Sequence, residues 1–207
     1  MPSPLSLSTP AAARRAPASH AGEAEENRAH RVRLGHLSEA LARHLGLDAD
    51  TAQLLRLAAP LHDVGECHPG DPFEPDWPLT AAEERRRRQA QPERGAALLR
   101  GSQLPLFALA AEIALHHRER WDGNGYPHGL RGKAIPLSAR IVAVVDYFDA
   151  LTMRRRFRPA RADDRGLAML AEQAGSAFDP EIVAAFLAHA PALIALRDRI
   201  DPSRGDA

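Results

Sequence analysis

The dipeptide His62–Asp63, inside "LHDVG", is the first place in this sequence where residue types suggest chemistry. An imidazole next to a carboxylate can bind one divalent ion while the carboxylate bridges to another. Chance produces His-Asp often, so its company matters. Glu26 and His30 are spaced i, i+4 and share a helix face. Asp146 interrupts the apolar run "IVAVVDYF", where an unpaired carboxylate would be expensive and a cation would relieve it. His117 offers a further nitrogen in "LHHRERWDGNGYPHGL", where His116 and His117 are followed by Arg118, a permanent charge in a poor place for a metal ligand. Four separate segments thus each carry a ligand-type residue in an apolar setting.

The segments that must position them read as helices. His30, Leu34, Leu37, Leu41 and Leu45 step by three and four, an amphipathic helix starting at Glu23 and ending at Gly46. A second follows Asp50, with Leu54, Ala58, Leu61 and His62 on one face and Pro60 bending it before His62. Thr80 with Glu83 forms a capping box that opens a helix through "AAEERRRRQA". The arginine run Arg85–Arg88 reads as a solvated face. Further helices are "PLFALAAEIALHH", "IPLSARIVAVVDYFDALT" with Pro136 near N1, "DDRGLAMLAEQAG", and "DPEIVAAFLAHA" capped by Asp179 with Pro180 at N1. "HPGDPFEPDWP" holds too many prolines for a helix. Convincing strands are absent, so the expected fold is an all-α helical bundle. It is expected to occupy residues 23–200, between disordered tails at 1–22 and 201–207.

Composition narrows the partners. Formal net charge is zero over 207 residues, so bulk charge gives no reason to expect DNA or membrane-surface binding. No apolar run approaches a membrane span, and the single cysteine, Cys67, suits a reducing cytoplasm. Nearly all the positive charge is arginine, the better fork for phosphate.

Taken in order, Glu26 and His30, "LHDVG", the histidine pair 116–117, "DGNGYPHGLRGKAIPLSARI" and "DYFDALT" resemble the HD-GYP family, a branch of the HD-domain metal phosphohydrolases. The likeness covers about residues 23 to 188. It implies an all-helical domain that binds two or three iron- or manganese-like ions and hydrolyses cyclic di-GMP, with His62 and Asp63 at its catalytic centre. By the same resemblance His30, His62, Asp63 and Asp146 are metal ligands, and Glu26 is a ligand of a third ion found in some members. Tyr126 lies in the loop linked to substrate access and to docking of diguanylate cyclase domains. Arg155 and Arg158 match positions that hold the dinucleotide phosphates.

The match is uneven around the second ion. His117 takes the place of the first histidine of the family's "HHE", Arg118 stands where the second belongs, and Glu119 is the glutamate; His116 fills the spacer. Gln91 replaces another histidine, and Glu66 replaces the lysine of "HDxGK". These positions predict one ion rather than two or three, with the Arg118 guanidinium near the vacated place and paired to Asp63, Glu66 or Glu119. Two readings follow: a phosphodiesterase for cyclic di-GMP or a related nucleotide with reduced activity, or a relative that binds nucleotide or protein without turnover.

Overall fold

The apolar stripe of the first helix decides the arrangement. In the computed structural model, which describes residues 18–66, 79–153 and 160–201, Leu34, Leu37 and Leu41 of α1 (Ala18–His44) are fully buried, and His30 continues their line inward. Helix α1 begins at Ala18, within the stretch expected as a tail to residue 22, in keeping with the high helix propensity of its alanines. It packs on α2 (Ala49–Ala58), α5 (Leu137–Thr152) and α8 (Ala190–Ile200). Helix α3 (Ala81–Leu99) lies along α4 (Pro105–His116), which in turn contacts α2 and α5; α6 (Asp163–Glu172) and α7 (Pro180–Ala188) close the end near α5. One core joins them, with Leu55, Ile113, Ile141, Val145, Phe148, Leu170, Ile182, Phe186 and Leu193 all buried. No strand occurs among the described residues; the lone bridge is Ala174 to Phe178. Among them, no single helix is long and apolar enough to cross a membrane.

Local signals hold in most places and shift in a few. Thr80 and Glu83 form the reciprocal capping box at the start of α3. Asp179 caps α7 by accepting from Glu181 N. Helix α2 is capped by Asp48, not preceded by Asp50, because Asp48 reaches Thr51 N at 2.9 Å. Pro136 is the N-cap of α5 rather than its first turn. Helix α3 runs nine residues past the expected "AAEERRRRQA", through a buried Pro92 to Leu99, so Gln91 is helical. Helix α8 was not expected as a separate element. It is fixed by Arg197, fully buried, which donates to Thr152 Oγ1 and, through both terminal nitrogens, to Asp163.

The path into the site is set by Pro60 and Gly65. Helix α2 gives way to a 3-10 turn, Ala59–Leu61, with Pro60 inside it, and the backbone then turns through His62–Gly65. A Cβ on Gly65 would lie 2.3 Å from Gln91 O and 2.5 Å from Gly95 N, so this turn rests directly on the backbone of α3. Only glycine permits that approach. A Gly65→Ala variant is expected to lose about 1–3 kcal/mol of stability in urea unfolding, the range for overpacking a tight contact. A loss under about 0.5 kcal/mol, the ordinary surface range, would show that the turn is not held this closely.

Candidate metal centre

Four elements bring their polar side chains to one end of the bundle: α1 supplies His30, the turn after α2 supplies His62 and Asp63, the end of α4 supplies His117 and Arg118, and α5 supplies Asp146. His30, His62 and Asp146 each place a ligand atom so that all three lie within 4.8 Å of one another. His30 and His62 are buried and Asp146 half-buried. His30 Nε2 is 3.5 Å from Asp146 Oδ1, and His62 Nε2 is 3.1 Å from Asp63 Oδ2. Asp63 stands between His62 and His117, with Oδ1 3.1 Å from His117 Nε2.

The three imidazoles are anchored in the same way, each through Nδ1, and this bears on whether a cation fits. His62 Nδ1 donates to Ala59 O (3.1 Å), His117 Nδ1 to Ala114 O (3.0 Å), and His30 Nδ1 to Asp149 Oδ2 (2.7 Å). Carbonyls and ionised carboxylates only accept, so each Nδ1 carries the hydrogen and a neutral ring turns a bare Nε2 toward the site. Metal-ligating histidines are held in this way by the partner of their other nitrogen. His62 Nε2 is buried and has no hydrogen-bonding partner, although a carboxylate oxygen lies close by. Two acceptors face to face need a proton or a cation between them. The donor set, two imidazole nitrogens with carboxylate oxygens, suits a first-row divalent ion. The residues therefore fit one such ion.

Charge follows the same geometry. Burial alone would raise the Asp63 carboxyl, but His62 and His117 outweigh it and hold it well below the usual carboxylate range. Burial would likewise lower His62, yet Asp63 and Asp146 prevail and raise its proton affinity. His117 is lowered by burial, which the neighbouring Asp63 carboxylate does not offset. Asp149 is desolvated, but His30 and Arg33 together hold it down to about 2.

Other sequence-predicted residues fall as follows. The Arg118 Nη2 lies 3.2 Å from both oxygens of Asp63, and Gln91 Nε2 donates to Asp63 Oδ1 at 3.3 Å. Of its three expected partners, Arg118 takes Asp63. Glu119 is buried elsewhere and accepts from His128 N and Leu130 N, bracing the glycine-rich loop. Glu26 is half-buried but is not brought into the ligand cluster; Asn27 and Arg31 of the same helix line the cavity there instead. Arg155 and Arg158 lie outside the described residues, as do Cys67, the proline-rich loop, and residues 1–17 and 202–207 of the expected tails.

Two cavities flank the centre. One of about 350 Å³ is lined by His30, His62, Asp63, Glu66, Arg118 and Asp146, among others. The other, about 380 Å³, is lined by Glu66, Arg87, Arg88, Gln91, Arg118 and Tyr126, among others. Glu66 and Arg118 belong to both walls. Arg87 and Arg88, read from the sequence as solvated, face this second cavity while pairing with Glu84. The loop over it needs Gly125 for space rather than for an unusual φ, since a Cβ there would lie 2.3 Å from Arg120 N and 2.5 Å from Glu119 Cα.

Asp149 and Arg33 were missed from the sequence. Arg33 grips Asp149 with Nε at 2.7 Å and Nη2 at 3.0 Å, and Asp149 in turn orients His30. The available signal was the second aspartate of "DYFDALT", three residues after Asp146 and hence near it on the helix face.

An all-helical bundle with a His–Asp centre and a glycine-rich loop defines an HD-type domain. The chain belongs to the HD domain family, which it matches over residues 10–182, and its motifs are those of the HD-GYP branch. It is 43% identical over 155 residues to the cyclic di-GMP phosphodiesterase response regulator RpfG of Xanthomonas campestris, covering 75% of this chain and 41% of that protein. It is 37% identical over 172 residues to 3'3'-cGAMP-specific phosphodiesterase 2 of Vibrio cholerae, covering 83% of this chain and 33% of the relative. The chain thus spans less than half the length of these relatives. The crystal structure of a cyclic GMP-AMP specific phosphodiesterase from Vibrio cholerae shares the fold, with a TM-score of 0.64 at 19% identity over 83% of this chain and 46% of that one.

Proposed function

We propose that the domain is a metal-dependent phosphodiesterase for cyclic di-GMP or a closely related cyclic dinucleotide, working with one resident iron- or manganese-like ion. The observation that carries this reading is the bare, buried Nε2 of His62 facing His30 and Asp146. His30, His62 and Asp146 would hold the ion, with Asp63 beside His62. Such an ion supplies Lewis-acid chemistry: it acidifies water and polarises a phosphoryl oxygen.

The chain's own residues do the rest. Asp63, held ionised, accepts a hydrogen bond from the attacking water and orients it. Gln91 fixes Asp63 by donating to Oδ1, the oxygen that faces His117 rather than His62. Arg118 borders both cavities, and its charge favours a phosphate placed between them. A guanidinium cannot lower the pKa of water as an ion does, so turnover is expected to be slower than in a centre with two ions. Tyr126 offers a face for a base, and Arg155 and Arg158 are proposed to hold phosphate. The loop at 122–130 is the proposed docking surface for a diguanylate cyclase domain, on the strength of the family resemblance.

A second reading, a nucleotide- or protein-binding module without turnover, is favoured by the Arg118–Asp63 contact, which engages both oxygens of a catalytic carboxylate. One experiment separates the two. Protein purified without chelator is assayed for iron and manganese and for conversion of cyclic di-GMP and 3'3'-cGAMP to linear products. One ion per chain with turnover that a His62→Ala variant abolishes supports the enzyme; binding of the dinucleotide with no product supports the module.

A further inference from the structure

We propose a second metal site, built by His116, Glu119 and His128, that takes a zinc-class ion and fastens the glycine-rich loop to the end of α4. His116 follows its helix about 100° round from His117, so it leaves the centre described above and faces the loop. Its Nδ1 is buried and lacks a hydrogen-bonding partner. The His128 ring, on the exposed loop, sits across from it with centroids 5.5 Å apart. Glu119 is 5% exposed, and its two oxygens each accept one backbone N–H, from His128 and Leu130. No arginine or lysine among the described residues pairs with this carboxylate. Each oxygen keeps a further lone pair.

One ligand atom from each of the three side chains lies within 4.8 Å of the others. Tetrahedral ligands at zinc distances are separated by about 3.4 Å, so closure needs a small inward turn, and the exposed His128 is free to make it. Arg140 lies near His116 and Glu119, but its guanidinium donates to the buried Asp179 and to Ile135 O, so its charge is already matched. Two imidazoles and a carboxylate, with a fourth position open to water, select zinc over magnesium or calcium. An ion there links His128 to a residue adjoining His117, and so holds the loop that carries Tyr126 over the cleft.

The test uses the full 207-residue chain, metal-stripped and titrated with zinc against a chromophoric chelator. The wild type should bind about one more ion than His128→Ala and His116→Ala variants. A His30→Ala variant, which damages the other centre, should keep the His128-dependent ion. Cobalt(II) should give a visible absorption band that His128→Ala loses. Zinc should also slow amide hydrogen exchange across residues 121–130 in the wild type and not in His128→Ala. Circular dichroism checks that the variants are folded. Equal zinc stoichiometry and affinity in wild type and His128→Ala overturns the site, and so does unchanged exchange in the loop on adding zinc. None of these readouts depends on phosphodiesterase activity.

Discussion

Replacing Asp149 by alanine will destabilise the protein by about 3–5 kcal/mol, the range for removing one partner of a buried ion pair, and weaken metal binding about 10–100-fold. Both effects come from one carboxylate. Asp149 is fully buried and holds Arg33, itself 4% exposed, through two hydrogen bonds; Asp201 alone would remain opposite that guanidinium. The same carboxylate fixes His30 by its Nδ1, and without it the ring is free to flip or change tautomer, so Nε2 is no longer reserved for the site. Asp149→Asn separates the two roles. Its amide oxygen can still accept from His30, but it removes the charge opposite Arg33, so it should recover more metal affinity than stability. Urea unfolding of metal-free protein measures the first effect and chelator competition the second. An Asp149→Ala protein within 1 kcal/mol of wild type would contradict the assigned role of this cluster.

What could be read from the sequence, and what could not, divides by distance along the chain. The stripe from His30 to Leu41, the Thr80–Glu83 box and the Asp179 cap are local patterns, and the structure contains them. Asp146 is singled out because a polar group in an apolar run stands out by itself, and His62–Asp63 because of the ligand-type residues in its company. The partner that orients His30 is 119 residues away. The local pattern, a second aspartate three residues after Asp146, places Asp149 on the helix but does not name its partner. Helix α3 continues past the expected stretch through a buried Pro92, where packing against α4 outweighs the missing N–H. In the sequence the arginine run reads as a solvated face paired with Glu83 and Glu84; only the fold reveals that Arg87 and Arg88 border a cavity shared with Arg118. Glu26 shares a face with His30 by its i, i+4 spacing and lies outside the cluster of His30, His62 and Asp146.

On the proposed one-ion centre, exchanging Gln91 and Arg118 together for histidine is expected to raise metal content to two ions per chain and to increase the proposed cyclic dinucleotide hydrolysis roughly 100-fold, as several kcal/mol of added transition-state stabilisation implies. Both present side chains donate to Asp63, Gln91 Nε2 at 3.3 Å and Arg118 Nη2 at 3.2 Å. Donors at these points occupy the lone pairs that a second ion would use, and the guanidinium adds a repelling charge. Two imidazoles there would offer acceptors instead. They would join His117, whose Nε2 already faces Asp63 Oδ1 at 3.1 Å with its Nδ1 anchored to the helix backbone. Asp63 would then be free to bridge two ions. The single changes distinguish charge from ligation. Arg118→Ala removes the repelling charge without supplying a ligand, and should leave the metal count at one. Gln91→His alone leaves the guanidinium in place and should also bind one. A double variant that still binds a single ion would mean that the second-metal set is broken beyond these two positions, with Glu66, where the family carries lysine, the next residue to change.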